Sequence, residues 1–235
     1  MDLTIVIPAY NEAKRLPATL AKLEWYARRV SFPIEILVVD DGSVDGTKEV
    51  IEQRHFPHVQ VHRLEMNAGK FTAFRKGVEL AKSDWILLYD ADGATPITVL
   101  DQWLPQLEQV DGLIGSRQVA GSNITVRQSL PRHVLGRWSY HIIRIFTGVT
   151  YRDTQCGFKL FRTSLAKKAV QQMHLTRFAG DVELIYLLQL LGARLKEMPV
   201  EWHDVPNSKV KLVDYFHSFV DIMRIRRNRK QGQYH

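Results

Sequence analysis

Two carboxylates separated by one small residue, Asp90-Ala91-Asp92, are the pattern in this sequence best suited to chemistry. They follow the apolar run Trp85-Ile86-Leu87-Leu88, which reads as a buried strand, and precede Gly93-Ala94-Thr95. Alternate residues of an extended chain point the same way, so Asp90 and Asp92 can face one ligand together. Hard divalent cations such as Mg²⁺ take oxygen ligands and are commonly held by one or two carboxylates plus phosphates. A strand-end Asp-x-Asp therefore fits a metal that grips a diphosphate. The competing reading is a solvated acidic turn, since Asp and Gly both favour turns.

Several elements must position that pair. Residues 3–8 form a β-branched strand closed by Pro8, followed by the loop Ala9-Tyr10-Asn11-Glu12. Leu16, Leu20, Leu23 and Tyr26 at helical spacing predict a helix over 15–30. A second strand, 34–39, ends in Asp40-Asp41-Gly42-Ser43, and Asp45-Gly46-Thr47 opens the next helix. A third strand, 59–64, leads through Asn67-Ala68-Gly69-Lys70 to a helix over 71–81. This alternation predicts one α/β domain with a mostly parallel central sheet and helices on both faces. Ligands of such sheets sit outside the carboxyl ends of the strands. The first, second and fourth strands end in Glu12, in Asp40 and Asp41, and in Asp90 and Asp92, and their convergence points to a polar ligand site with a metal.

The second half is less regular. The pattern predicts a helix over 102–110, a strand over 112–117 ending in Arg117, and a mobile polar loop over 120–131. A helix over 131–146 would carry Val134, Leu135, Trp138, Ile142 and Ile145 on one face beside Arg132, Arg137 and Arg144. Residues 154–161 read as loop and strand, and 181–191 as an apolar helix starting with Asp181 and Glu183, where the dipole favours acids. A late strand over 195–200, with Trp202, precedes a C-terminal helix over 212–227 whose apolar face is Leu212, Phe216, Phe219, Val220 and Met223.

Composition narrows the class. At 235 residues and 45% hydrophobic, the chain can bury a full core. The single cysteine, Cys156, excludes an intramolecular disulfide framework, fits a reducing compartment, and reads as a packed small residue rather than a nucleophile. None of the nine histidines shows a zinc-ligand spacing. The net charge is +7, and residues 209–235 carry seven Lys/Arg against two Asp/Glu. The expected organisation is a domain over 1–208 and a basic amphipathic tail over 209–235. Charge concentrated in one short tail argues against a nucleic-acid binder. Arg224, Arg226, Arg227, Arg229 and Lys230 suit an anionic membrane surface, where each basic residue contributes about 1 kcal/mol. The alternative is that the tail's apolar face packs on the core. With no signal pattern after Met1 and no transmembrane-length run, the expectation is a protein of the cytosol, held peripherally on the cytoplasmic face of a membrane.

Taken together, Val6-Ile7-Pro8-Ala9-Tyr10-Asn11-Glu12, Val38-Val39-Asp40-Asp41-Gly42-Ser43 and Asp90-Ala91-Asp92 resemble a family-2 glycosyltransferase of the GT-A fold. Within that group the chain is most similar to the polyprenyl-phosphate enzymes, the dolichyl-phosphate mannose and glucose synthases, and more to the glucosyl branch. Those marks are Ala91 to Thr95, Gly115-Ser116-Arg117, the run from Arg152 to Phe161, Asp181-Val182-Glu183-Leu184 and Ser208-Lys209.

The resemblance implies a single Rossmann-like GT-A domain. Pro8, Tyr10, Glu12, Val39 and Asp41 would form the pocket for base and ribose, with Lys70 also on the nucleotide sugar. Asp90, Ala91 and Asp92 would hold the donor diphosphate through Mg²⁺ or Mn²⁺, Asp92 most directly. Arg117, Arg132 and Lys209 would face phosphates of the donor, the acceptor or both. Ala94 stands where the mannosyl branch has a further polar metal ligand, leaving the third protein ligand open. Asp153 and Gln155 are placed near the sugar or behind the residues that touch it. Asp181 and Glu183 either cap their helix or contact the sugar or a phosphate-binding arginine.

The implied reaction is inverting transfer of a hexose, glucose from UDP-glucose, to a polyprenyl or dolichyl phosphate. Alternatives are another donor such as GDP-mannose, a hydroxyl acceptor, which needs a carboxylate base, or a nucleotide-sugar-binding protein without catalysis.

Overall fold

The alternation within the first strand decides the architecture. In β1 (Leu3–Ala9), Leu3, Ile5 and Ile7 enter one core cluster and Val6 enters another, so both faces are covered. Strands buried on both faces belong to parallel sheets wrapped by helices. The computed structural model describes residues 1–124, 140–203 and 212–234.

Beside β1 lie β2 (Ile34–Asp40), β3 (Val59–Arg63), β4 (Trp85–Tyr89), β5 (Gly112–Ser116), β7 (Phe158–Arg162) and β8 (Leu195–Pro199), in the order β3-β2-β1-β4-β7-β5-β8. β7 runs antiparallel to both its neighbours, and the remaining pairs are parallel. A short parallel pair, β6 (Asn123–Ile124) and β9 (Glu201–Trp202), stands apart. The mostly parallel sheet expected from the sequence is therefore present.

One face of the sheet is covered by α1 (Leu16–Ala27) and α4 (Val99–Trp103), with Ile51 from α2 (Thr47–Gln53). The other is covered by α3 (Lys70–Leu80), α5 (described over residues 140–147), α6 (Thr163–Gln171), α7 (Gly180–Leu190) and α8 (Leu212–Lys230). The chain runs outward from β1 through β2 to β3, then returns to β4 on the other side of β1. The carboxyl ends of β1 and β4 thus flank a topological switch point, where open α/β sheets form their ligand crevice.

Some sequence expectations need correction. The helix expected over 102–110 lies earlier, as α4, and tightens into a 3-10 turn over Leu104–Gln106. Pro105 supplies the reason, because it has no N–H to continue α-helical bonding. The polar stretch expected to be a mobile loop over 120–131 contributes β6, and residues 125–131 lie outside the described set. α6 was not anticipated. Its buried apolar residues, Ala166, Ala169 and Val170, have helical spacing, but alanine gives a weak hydrophobic signal. Of the helix expected over 131–146, only the part from residue 140 is described.

α8 turns a different face inward from the one read in the sequence. Ile222 and Ile225 enter the core beside α7, whereas Phe219, Val220 and Met223 are exposed. The side chains of Leu212 and Phe216 lie outside the described residues. Beyond the helix, Tyr234 donates to Glu183 Oε1 at 2.7 Å, tying the tail to α7. Among the described residues no helix is long and apolar enough to cross a membrane.

Candidate active site

The Asp-x-Asp segment is clasped from three sides. Tyr89, the last residue of β4, is buried edge-on against Phe158 and donates its hydroxyl to the Thr95 carbonyl at 2.6 Å. Asp90 donates its backbone N–H to the Gly157 carbonyl at 3.2 Å, and its carboxylate lies over Gly157 so closely that a Cβ there would overlap it. Thr19 of α1 donates to the Ala91 carbonyl at 3.0 Å. Asp92 Oδ1 accepts the Ala94 N–H at 3.1 Å, and Gly93 takes a φ of +64° to complete the turn. A left-handed residue costs glycine little.

The two carboxylates differ electrostatically. Burial would raise the Asp90 carboxyl, but Lys70, Lys159 and Arg117 outweigh it and hold Asp90 below the usual carboxylate range. Lys70 Nζ is 2.8 Å from Asp90 Oδ1 and 3.6 Å from Asp181 Oδ2. Burial opposes the Lys70 charge, yet Asp181, Asp90 and Asp92 together raise its pKa. Asp92 is pushed upward, first by burial and then by the negative charge of Asp90. Two adjacent carboxylates held this way accept positive charge readily, and their hard oxygens suit Mg²⁺ or Mn²⁺. The Lys70 ammonium already stands at Asp90 as one such charge. Among the described residues no group of three or more Asp, Glu, His or Cys gathers around a metal position. The donor set is the two aspartates, which fits a cation completed by phosphate oxygens and water.

The carboxyl ends of β1 and β2 form the adjoining part of the crevice. Asn11, at φ +54°, receives the Val44 N–H on its Oδ1 at 2.9 Å, while its own N–H donates to Ser43 Oγ at 2.8 Å. These bonds stitch the two loops together. Glu12 is buried and grips Arg15 through two bonds of 2.8 and 2.7 Å. Asp41 accepts the backbone N–H groups of Ala68 and Gly69 at 2.8 and 2.9 Å, so it fixes the entry to α3 and thereby Lys70. Tyr10 is exposed at the rim and Pro8 half-buried. Val39 is fully buried against Leu37 and Ala73, so its side chain faces the core. Asp40 is also buried: Oδ1 accepts the Ser43 N–H at 2.9 Å, and Oδ2 lies 3.7 Å from Arg63 without a hydrogen bond.

On the other side, Arg117 at the end of β5 is bound by Asp153. Its Nε and Nη2 donate to the two carboxylate oxygens at 2.6 and 2.9 Å, and its backbone N–H adds a third bond at 3.0 Å. Its guanidinium also lies 5.5 Å from the ring of Trp202. Asp153 is therefore a positioning residue for Arg117. Burial would raise its carboxyl, but Arg117 overrides that and lowers it. Gln155 is exposed and donates its backbone N–H to Asp153 at 3.2 Å. Cys156 is buried, and burial followed by the charge of Asp153 pushes its thiol up to about 11, as befits a packing residue. Arg132 and Lys209 lie outside the described residues.

The helix-capping role expected of Asp181 and Glu183 does not match their places. Asp181 sits between two lysines, Lys70 and the fully buried Lys159, and makes no helix cap. Glu183 is buried away from the crevice, accepting the N–H groups of His174 and Leu175 and the Tyr234 hydroxyl. Both replace contacts that water would otherwise supply, as buried charges require. Lys159 and Gly157 were missed as site residues. A lysine inside Phe158-Lys159-Leu160-Phe161 was the available signal, because buried lysines are almost always paired.

A family model described as glycosyl transferase family 2 matches residues 4–169. The dolichyl-phosphate beta-glucosyltransferase of Homo sapiens is 36% identical over 226 residues, covering 89% of this chain and 69% of that protein. A dolichyl-phosphate beta-glucosyltransferase of Trichomonas vaginalis is 34% identical over 237 residues, covering 95% and 72%. Among solved structures, mannosyl-3-phosphoglycerate synthase from Rubrobacter xylanophilus shares the fold with a TM-score of 0.68 at 16% identity, covering 99% of this chain and 75% of that one.

Proposed function

Because this chain belongs to glycosyl transferase family 2, on its dolichyl-phosphate beta-glucosyltransferase branch, we propose that it transfers glucose from UDP-glucose to dolichyl or another polyprenyl phosphate. Base and ribose occupy the crevice at the ends of β1 and β2, edged by Pro8, Tyr10, Glu12 and Asp41. The diphosphate lies at Asp90 and Asp92 with Lys70 beside it. A divalent cation held by Asp92 and Asp90 would neutralise charge developing on the leaving diphosphate.

The acceptor class rests on the dolichyl-phosphate beta-glucosyltransferase relatives, and the commitment of the crevice carboxylates supports it. Among the described residues at this edge, Glu12 is committed to Arg15, Asp153 to Arg117, Asp41 to two backbone N–H groups, and Asp181 to two lysines. Asp40 is fully buried, out of reach of an acceptor, and the Asp90/Asp92 pair that remains has the chemistry of a metal clamp. A sugar hydroxyl needs a general base to attack, whereas a lipid phosphate is ionised at neutral pH. A phosphate oxygen attacks the anomeric carbon as the bond from that carbon to the diphosphate oxygen breaks. Inversion of an α-linked donor gives a β-linked lipid-phosphate glucose, and UDP leaves with the electron pair. Arg117, held rigid by Asp153, keeps unused N–H donors for a phosphate.

The same reading places the protein on the cytoplasmic face of a membrane. Exposed Ile145, Phe219, Val220 and Met223 lie near Arg144, Arg224 and Arg227, and the rings of Phe146 and Phe219 meet at 6.2 Å. Apolar side chains among basic ones suit an anionic bilayer surface. Truncating residues 224–235 would also remove core residue Ile225, so the cleaner variant is Val220→Ser with Met223→Ser. It should sediment less with anionic liposomes at unchanged melting temperature, and unchanged sedimentation would count against membrane contact.

The reaction itself is tested by incubating the protein with Mn²⁺ or Mg²⁺, dolichyl phosphate and a panel of UDP- and GDP-sugars, reading lipids by mass. A hexosyl-phosphoryl lipid formed from UDP-glucose supports the reading. Donor hydrolysis without a glycosylated lipid sinks the acceptor assignment, and product from GDP-mannose alone sinks the donor.

A further inference from the structure

Lys159 lies at the centre of the sheet, opposite Leu88 on β4 and Ile114 on β5, and is fully buried. Its ammonium donates to the Cys156 carbonyl and to Asp181 Oδ1. Asp181 presents its other oxygen to Lys70 at 3.6 Å, and Lys70 reaches Asp90 Oδ1 at 2.8 Å. Four charges of alternating sign therefore run from the sheet interior to the Asp-x-Asp carboxylate.

A buried ion pair is by itself weak grounds for stability. Apolar residues of similar volume in place of a buried ion pair are often equally stable or more so. Apolar residues cannot, however, fix the position of a neighbouring charge. The backbone around the chain of charges is already rigid: Phe71 donates its N–H to the Thr176 carbonyl at 2.9 Å, and Gly180 closes against the Phe71 ring without room for a Cβ. With α3 and α7 locked, the ammonium of Lys70 stands between its two carboxylates. Asp181 without Lys159 would keep only Lys70 as a counter-ion among the described residues and would draw it away from Asp90.

We propose that Lys159 is a positioning residue for the donor site: by holding Asp181 from behind, it fixes how Lys70 is shared between Asp181 and Asp90, and so presents the Lys70 ammonium to the donor diphosphate. The inference rests on the nucleotide-sugar reading above. Its consequence is that a residue with no access to substrate tunes the affinity for a metal-bound nucleoside diphosphate, and does so through Lys70.

The test is a double-mutant cycle on binding of UDP in the presence of Mn²⁺, measured by calorimetry on the native chain, Lys159→Met, Lys70→Met and the two combined, with melting temperature as the fold control. Lys159→Met should weaken UDP binding about 10-fold, the scale seen when a residue that orients a metal site is removed. In the Lys70→Met background the same change should cost less than about 2-fold, because independent sites add and coupled ones do not. An equal loss in both backgrounds, or a lower melting temperature with unchanged affinity, would overturn the proposal and leave the pair a purely structural one. Should Lys159→Met not fold, Lys159→Met with Asp181→Asn is measured instead: with no carboxylate left to draw Lys70 from Asp90, it should bind UDP within about 2-fold of the native chain, and a loss of about 10-fold would overturn the proposal. Failure of the native chain to bind UDP with Mn²⁺ would instead overturn the nucleotide-sugar reading.

Discussion

The two sides of the sheet use charge in opposite ways. From β3 to β4, acidic residues stand at strand ends: Asp40 and Asp41 after β2, Asp90 and Asp92 after β4. There they meet backbone N–H groups, a lysine or solvent, and they remain near the crevice. On the β7–β5–β8 side the charges lie behind the surface, with Lys159 and Asp181 inside the core and Asp153 beneath Arg117. The first arrangement offers groups to a ligand. The second fixes the groups that are offered. Substitutions should divide accordingly: on the first side they remove a group offered to the ligand, and on the second they unsettle a buried pair, at a cost in stability at Asp153 and in ligand affinity at Lys159.

The largest effect should come from Asp153→Asn, which leaves Arg117 without its counter-charge. Breaking a buried pair from one side costs about 3–5 kcal/mol. Chemical denaturation should report that loss, and a variant as stable as the native chain would break the contrast between the two sides. The sign with pH follows from the lowered Asp153 carboxyl. Its stabilising contribution is complete above the ordinary carboxylate pKa and is lost as pH falls through the depressed value, a loss the Asn variant should lack.

Next comes Asp92→Ala, expected to lower kcat/KM by about 10²–10³-fold, the scale of removing one preorganised electrostatic contact. Its melting temperature should stay close to native, because Asp92 makes one local bond and is partly exposed. Steady-state kinetics and a thermal melt on the same preparation would sharpen or break the division.

Gly157→Ala crosses the boundary, since it lies on the β7 side and displaces the Asp90 carboxylate. Overpacking of this kind costs about 1–3 kcal/mol. Activity should fall beyond what stability explains, and a native-like rate would show that Asp90 can move without consequence.

The smallest effect should be at Asp111, whose carboxyl the hydrogen bonds from Arg194 lower from 3.8 to about 2. Asp111→Asn should barely change the melting temperature at pH 7, because exposed ion pairs contribute little. Between pH 3.8 and about 2 the native chain should lose stability that the variant never had, visible as a flatter acid limb.

This division also explains what could be read from the sequence. β1 through β4, their helices and the Asp-x-Asp turn follow from local periodicity and from polar residues at strand ends, both of which are short-range patterns. The Lys159–Asp181 contact joins residues 22 apart, on a strand and a helix whose packing no local pattern dictates. Glu183 shows the same limit: its position in a first helical turn suggested a cap, but the fold brings His174, Leu175 and Tyr234 to it. α8 failed differently. Phe219, Val220 and Met223 outweighed Ile222 and Ile225 in the apolar pattern, yet docking against α7 selected the latter.

The central proposal is that this edge takes a metal-bound diphosphate, that its crevice carboxylates among the described residues are committed to other partners, and that the acceptor arrives already ionised. The most direct measurement pairs two acceptors of identical chain, dolichyl phosphate and dolichol, with UDP-glucose and Mn²⁺ across about pH 7.5–9, above the second ionisation of a phosphate monoester near 6. Glucose on the phosphate alone, at a rate nearly flat across that range, is the predicted result. Glucosylation of free dolichol, or a rate that climbs with the deprotonation of a single protein group, would contradict it.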